Sequence, residues 1–236
     1  MIRNDMKIVL RQGRLEVTKK QLRPIQDEFR SVVMQGKTDL NYDMSSLVPT
    51  ISRDKVSSLE EWLTFYFEKP IQFPDEFIDQ LLNFHGGIPG KQCFNEPDGR
   101  RRMICRFCNV LRKEDLIPPT VPSWRGGFDA RYEYSIRLLL DADPYCSRLG
   151  ESERPLVPIA AIDTSGGFNA REMSNMDLLC LDYGEDGEPS VVTWCFEESW
   201  AEPKYTIKVA DSFKTFLNML YERPDDLFTT NDCEYF

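Results

Sequence analysis

Between Ser58 and Gly87 the chain carries two apolar faces at helical spacing, separated by Lys69-Pro70 and closed by a Gly-Gly pair. Leu59, Trp62, Leu63, Tyr66 and Phe67 recur at i, i+3, i+4, i+7 and i+8, one face of a helix. Ser58-Leu59-Glu60-Glu61 has the capping-box pattern, so the spacing predicts a helix over 59–68. Phe73-Pro74-Asp75-Glu76-Phe77 then puts a proline and two acids in a first turn, where the missing amide and the helix dipole favour them. Phe77, Ile78, Leu81, Leu82 and His85 continue that face, and Gly86-Gly87 supplies a left-handed stop, which predicts a helix over 74–85. Two adjacent amphipathic helices need a partner layer, and the rest of the chain supplies one.

That layer is β-rich. Met103 to Leu111, Leu156 to Ile162, Asp177 to Tyr183, Ser190 to Glu197 and Tyr205 to Val209 read as strands separated by Gly, Pro and acidic turns. Their order implies a largely sequential antiparallel sheet. Asp211-Ser212 caps a helix over 212–221, in which Phe213, Phe216, Leu217, Leu220 and Tyr221 repeat the buried-face spacing and Pro224 stops the run. The expected fold is α+β, a twisted, largely antiparallel sheet flanked by helices. Around it, residues 1–56 form an N-terminal extension, 57–224 the main domain, 113–153 an insertion rich in Pro, Gly and Arg, and 225–236 an acidic tail. Within the extension, Lys7 to Val17 reads as a hairpin about Gln12-Gly13, and Leu22, Ile25, Phe29 and Val32 mark a helix near 23–35. Residues 37–56 read as a polar linker. In the insertion, Phe128, Tyr132, Ile136, Leu139 and Leu140 could share one helix.

With 236 residues, 41% of them apolar, the chain can build one elaborated core, so wholesale disorder is excluded. Its longest apolar stretch, Leu156 to Ile162, is far below the roughly 18 residues of a membrane span. Ile8-Val9-Leu10 is too short for a signal-peptide core. Seven scattered cysteines read as reduced thiols, and a cytoplasmic location is expected. The formal net charge of −10 argues against direct nucleic-acid or anionic-membrane binding. Its distribution is uneven: residues 1–37 hold nine Lys/Arg against four Asp/Glu, whereas 172–236 hold four against fifteen. Between Arg171 and Lys204 there is no basic residue, only nine acids, including Asp182, Glu185, Asp186, Glu188, Glu197, Glu198 and Glu202.

Catalytic and metal readings compete poorly with structural ones. His85 is the single histidine, so every Ser–His or Cys–His scheme must pass through it, and its place before Gly86-Gly87 suits a capping or core role. Asp182/Glu185 and Glu197/Glu198 have the composition of acid–base pairs but sit in acidic turns. Cys105-x-x-Cys108, with Cys93 and Cys146, raises a zinc site; the second Cys-x-x-Cys is missing, so buried thiols are expected. Gly166-Gly167 and Gly86-Gly87 lack a phosphate-loop fingerprint. Arg100-Arg101-Arg102 with Arg106, and Trp124-Arg125, read as solvated surface pairing with acids or a partner. No cofactor, metal or catalytic residue is expected.

Three sets of junction words resemble the SUKH superfamily, the group that includes the fungal Smi/Knr cell-wall regulators and many bacterial immunity proteins. They are Phe73-Pro74 to Pro89, including Asn83-Phe84-His85-Gly86-Gly87-Ile88-Pro89; Val157-Pro158-Ile159-Ala160 with Asp177 to Asp182 and Val191 to Glu197; and Val209-Ala210-Asp211-Ser212-Phe213 through Leu217. His85 stands where the family usually has Asn, and 113–153 and 1–56 have no counterpart. The resemblance implies a non-enzymatic binding protein: an immunity protein that binds and neutralises a cognate toxin domain, such as a nuclease, or alternatively a regulatory scaffold of the fungal cell-wall-control type. Independently, a nuclease cleft must be positive to hold phosphate, and a dense carboxylate surface could occupy it. The expected partner is therefore a basic toxin domain, and the expected contact residues are Asp182, Glu185, Asp186, Glu188, Glu197, Glu198 and Glu202.

Overall fold

The computed structural model describes residues 10–11, 14–15, 40, 42, 47–48, 50–112, 134–141, 149, 154–163, 177–184, 187–195 and 205–224. The chain divides into two compact units, Met1–Asp39 and Leu40–Phe236. In the first, strands β1 (Leu10–Arg11) and β2 (Arg14–Leu15) pair antiparallel, Leu10 opposite Leu15. The helix expected near 23–35 lies outside the described residues, as do most of 113–153 and all of 225–236.

In the second unit, helices α1 (Arg53–Phe67) and α2 (Asp75–Phe84) precede strands β3 (Lys91–Asn95) and β4 (Arg101–Phe107). Helix α3 (Ile136–Asp141) leads to β5 (Leu156–Asp163), β6 (Asp177–Asp182), β7 (Ser190–Trp194) and β8 (Thr206–Ala210). Helix α4 (Phe213–Met219) and a two-residue strand β9 (Tyr221–Glu222) complete the described elements. The seven-stranded sheet has the order β8-β7-β6-β5-β4-β3-β9 with every pair antiparallel.

Helix α1 begins a turn and a half earlier than the capping-box pattern predicts. Ser52 is its N-cap, and Ser58 lies inside it. The reason is Val56, fully buried three residues before Leu59, which extends the apolar stripe back to Val56, Leu59 and Leu63. Residues 37–56 are accordingly not a polar linker throughout: Leu40, Leu47, Val48 and Val56 are buried.

Helix α2 begins where Pro74 puts it, the amides of Phe77 and Ile78 both donating to the Pro74 carbonyl at 3.0 Å. It stops at a Gly-Gly pair whose two members do different work. Gly86 adopts φ +61°, the left-handed region that disfavours a side chain. At Gly87 a β-carbon would collide with Leu47 Cδ2 and the Phe84 carbonyl, so this glycine is required by close packing.

Ser212 caps α4 as expected, its hydroxyl accepting from the Thr215 amide at 3.1 Å. The helix ends at Met219, short of 221: Leu220 turns extended, and Tyr221–Glu222 adds to the sheet beside β3. Through α4 an aromatic chain joins the helical layer to the sheet. Phe73 meets Phe77, Phe77 meets Phe213, and Phe216 meets Phe94, edge to face at 5.0–5.3 Å between centroids.

The sheet is curled. Glu96, just beyond β3, accepts a hydrogen bond from Thr193 Oγ1 of β7 at 2.8 Å. In a flat sheet those strands, four steps apart, would be separated by about 19 Å. Register shifts between β4 and β5, β5 and β6, and β7 and β8 supply the bending. One of them follows Pro158, which has no amide to give a ladder.

Candidate partner-binding surface

The acidic window enters the fold through β6. Every residue of that strand is buried, in keeping with the run Leu178 to Leu181, until the chain turns at Asp182. Asp182 is itself 7% exposed, and both its oxygens are engaged. Oδ2 takes an ion pair from Arg154 Nη1 at 3.0 Å, and Oδ1 accepts the Gly184 amide at 2.8 Å. A β-carbon on Gly184 would strike the Arg154 side chain, so a glycine here lets the arginine lie across the turn. The Tyr183 amide donates to the Pro155 carbonyl, and its hydroxyl to the Gln72 carbonyl at 2.9 Å. Burial, then the charge of Glu60, raises the Tyr183 phenol above its ordinary pKa. The root of the β6–β7 turn is therefore anchored from three sides.

Beside it lies a recess of about 280 Å³ bounded by Arg154, Asp182, Glu188, Ser190, Thr206, Lys208 and Asp211. Arg154 Nη2 also donates to Thr206 Oγ1 at 3.2 Å. Lys208 pairs with Asp211 at 2.8 Å and, by hydrogen bond and charge, lowers its carboxyl below the usual range. Two cations thus face three carboxylates, and Glu188, exposed, is the carboxylate there with no ion-pair partner among the described residues. Of the seven expected contact residues, Asp182 and Glu188 come together at this recess. Glu185, Asp186, Glu197, Glu198 and Glu202 lie outside the described residues.

The arginine cluster separates into unlike members. Arg100 and Arg101 are exposed, but Arg102 is 3% exposed, contrary to the expectation of solvated surface. Its Nε donates to Glu96 Oε1 at 3.0 Å, and Nη2 donates to Asp177 Oδ2 and, at 3.6 Å, meets Cys195 Sγ. Burial works against the guanidinium, but the hydrogen bond and charge of Asp177, then Glu96, outweigh it and raise Arg102 above its ordinary value. Because Glu96 also takes the Thr193 hydroxyl, this cluster clasps β7 to the end of β3, each one strand in from an edge of the curled sheet. Arg106 is half-buried, donating to the Gly86 carbonyl at 3.1 Å and lying over the Tyr134 ring.

His85 is fully buried. Its Nε2 accepts from the Val110 amide at 3.0 Å and its carbonyl from the Val48 amide at 3.0 Å, so it ties the α2 terminus to two neighbouring segments. Cys93 and Cys108 are buried and Cys105 half-buried, each a reduced thiol; burial raises Cys93. Among the described residues no group of three His, Cys, Asp or Glu is arranged to hold a metal ion. Cys146 lies outside them.

A curled antiparallel sheet packed with helices defines an α+β domain. The SMI1 / KNR4 family (SUKH-1) matches residues 50–219, and the chain belongs to that family. No curated protein and no solved structure matches the chain. Among the described residues no helix is long and apolar enough to cross a membrane.

Proposed function

We propose that the chain is a non-enzymatic immunity protein of the bacterial cytoplasm that binds a cognate basic toxin domain and occludes it with an acidic surface. The observation that carries this reading is the stretch between Arg171 and Lys204, which holds nine acids and no base. Membership of the SMI1 / KNR4 family supports a protein-binding role. In this reading Glu185, Asp186, Glu188, Glu197, Glu198 and Glu202 meet the partner. Asp182, held by Arg154 and Gly184, fixes the turn that carries the first three. Charge of one sign on a protein surface accelerates encounter with its complement and is screened by salt.

Affinity capture of the tagged chain from its native cell, at low and high salt, tests the reading. A single basic polypeptide retained at low salt, released at high salt and encoded beside this chain supports neutralisation. Retention of several envelope or signalling proteins irrespective of salt overturns it in favour of a regulatory scaffold.

A further inference from the structure

Helix α1 has a second face that its buried stripe leaves free. Asp54, Ser58, Glu61, Phe65 and Glu68 follow one another at intervals of three or four residues, on one side of the helix and just beyond its C-terminal end, and all are exposed. Phe65 is 83% exposed. It sits in an aromatic run whose other members are all engaged. Trp62 stacks on Tyr66 and lies under the Arg137 guanidinium, while Phe67 meets Tyr66 edge to face. Phe65 has no ring or cation partner among the described residues. A single exposed aromatic is ordinary on a protein surface. What distinguishes this one is its place between two exposed carboxylates one turn to either side, Glu61 and Glu68, which like Asp54 further along have no ion-pair partner among the described residues. Glu76, Glu96, Asp98, Asp177, Asp182 and Asp211 do have one, whereas the exposed Asp75, Asp79, Asp141, Glu188 and Glu222, like these three, do not.

An exposed aromatic flanked by two carboxylates one turn away has the anatomy of an interface anchor with a polar rim, while Asp54 and Ser58 at the far end share a recess with Lys55, Arg112 and Arg137. We infer that the outer face of α1 is a docking surface, with Phe65 entering an apolar pocket on a basic protein partner and Asp54, Glu61 and Glu68 meeting Lys and Arg around that pocket. Charge complementarity selects the occupant: an acidic surface would be repelled by the three carboxylates, and so would a second copy of this same face. The inference rests on the reading that the chain binds a basic polypeptide, and moves part of the contact from the 177–202 loops to a rigid helix.

The test uses the full chain and, as probe, the basic polypeptide retained by the wild-type protein at low salt. Phe65→Ala is expected to weaken its binding about 30-fold, the size of a hot-spot truncation, with the urea midpoint of folding unchanged. Asp54→Asn/Glu61→Gln/Glu68→Gln is expected to flatten the dependence of affinity on salt. Wild-type affinity and salt dependence in both variants overturn the inference while leaving toxin neutralisation standing. Should the wild-type chain retain no basic polypeptide, neutralisation fails, and photocrosslinking in the native cell from Phe65→p-benzoylphenylalanine, with Asp98→p-benzoylphenylalanine as control, decides the surface separately. A crosslink to one basic polypeptide, unique to position 65 and lost in the charge-neutralised variant, supports docking. No crosslink, or one to another copy or another segment of this chain, overturns it.

Discussion

At the closing point of the curled sheet, Glu96 and Asp177 are buried and share Arg102, with Thr193 and Cys195 completing the cluster. Along the outer face of α1, Asp54, Glu61 and Glu68 stand in water without a cation among the described residues. The difference lies in solvation. A carboxylate withdrawn from water must be matched by charge and hydrogen bonds or the fold loses several kcal/mol, whereas an exposed one is hydrated and screened and can remain unmatched at little cost. Matched charge therefore marks where this fold is held together, and unmatched charge on its surface is what, in the proposed function, is left to attract another molecule. The Asp182–Arg154 pair stands between these extremes, buried on the carboxylate side and 40% exposed on the arginine side.

The largest effect is expected at the clasp. Arg102→Ala removes the buried cation that Asp177 and Glu96 share, leaving Glu96 its longer pair with the half-exposed Arg100 at 3.6 Å, and should destabilise the domain by about 3–5 kcal/mol, read as a lower urea midpoint. Replacing all three charges, Glu96→Leu/Arg102→Met/Asp177→Leu, should restore stability toward wild type. A triple variant less stable than the single one would show that the cluster has no uncompensated-charge cost to relieve. Next comes the α2 terminus. Gly87→Ala drives a methyl into Leu47 and the Phe84 carbonyl and should cost about 1–3 kcal/mol; a neutral result would mean that Leu47 yields freely. Arg154→Gln, at the half-exposed pair, should cost at most about 1 kcal/mol, while loosening the β6–β7 turn enough to raise amide exchange at Gly184.

The smallest effect belongs to the exposed Lys208–Asp211 pair. Asp211 titrates below its ordinary 3.8 in the folded chain. Its contribution to stability is therefore present above the unfolded value and disappears as pH falls through the lower folded value. Lys208→Gln should return the Asp211 carboxyl toward 3.8 in an NMR titration, with the urea midpoint at neutral pH barely moved.

The helices are legible in the sequence because large apolar side chains spaced every three to four residues line up on one side only of a helical backbone, and Pro74, Gly86-Gly87 and Ser212 punctuate them with definite backbone roles. The capping rule misplaces the start of α1 because Ser58-Leu59-Glu60-Glu61 satisfies it inside a helix whose stripe already includes Val56. Strand β3 is hard to read because Lys91-Gln92-Cys93-Phe94-Asn95 is barely apolar. Its signal lies in the next residues, since Glu96-Pro97-Asp98-Gly99 is a turn sequence. Gly99 there adopts φ +86°, and the Glu96 amide donates to the Arg100 carbonyl to close the hairpin. Strand β9, only two residues long, carries no periodicity. Nor does the burial of Arg102 show among three consecutive arginines, because it depends on the curl that brings β7 back to β3. Phe65 is detectable by exclusion, as the aromatic that does not fit the stripe of Leu59, Trp62, Leu63, Tyr66 and Phe67.

The most direct test of partner recognition through unmatched carboxylates is an equilibrium titration of the captured basic polypeptide across a range of salt. It compares the wild-type chain with one in which Glu185, Asp186, Glu188, Glu197 and Glu198 are changed to their amides. Recognition through the acidic surface predicts affinity and association rate that fall steeply with salt in the wild type, and weaker binding with a shallower salt dependence in the neutralised chain. Binding that ignores salt, or is unchanged after neutralisation, would contradict it.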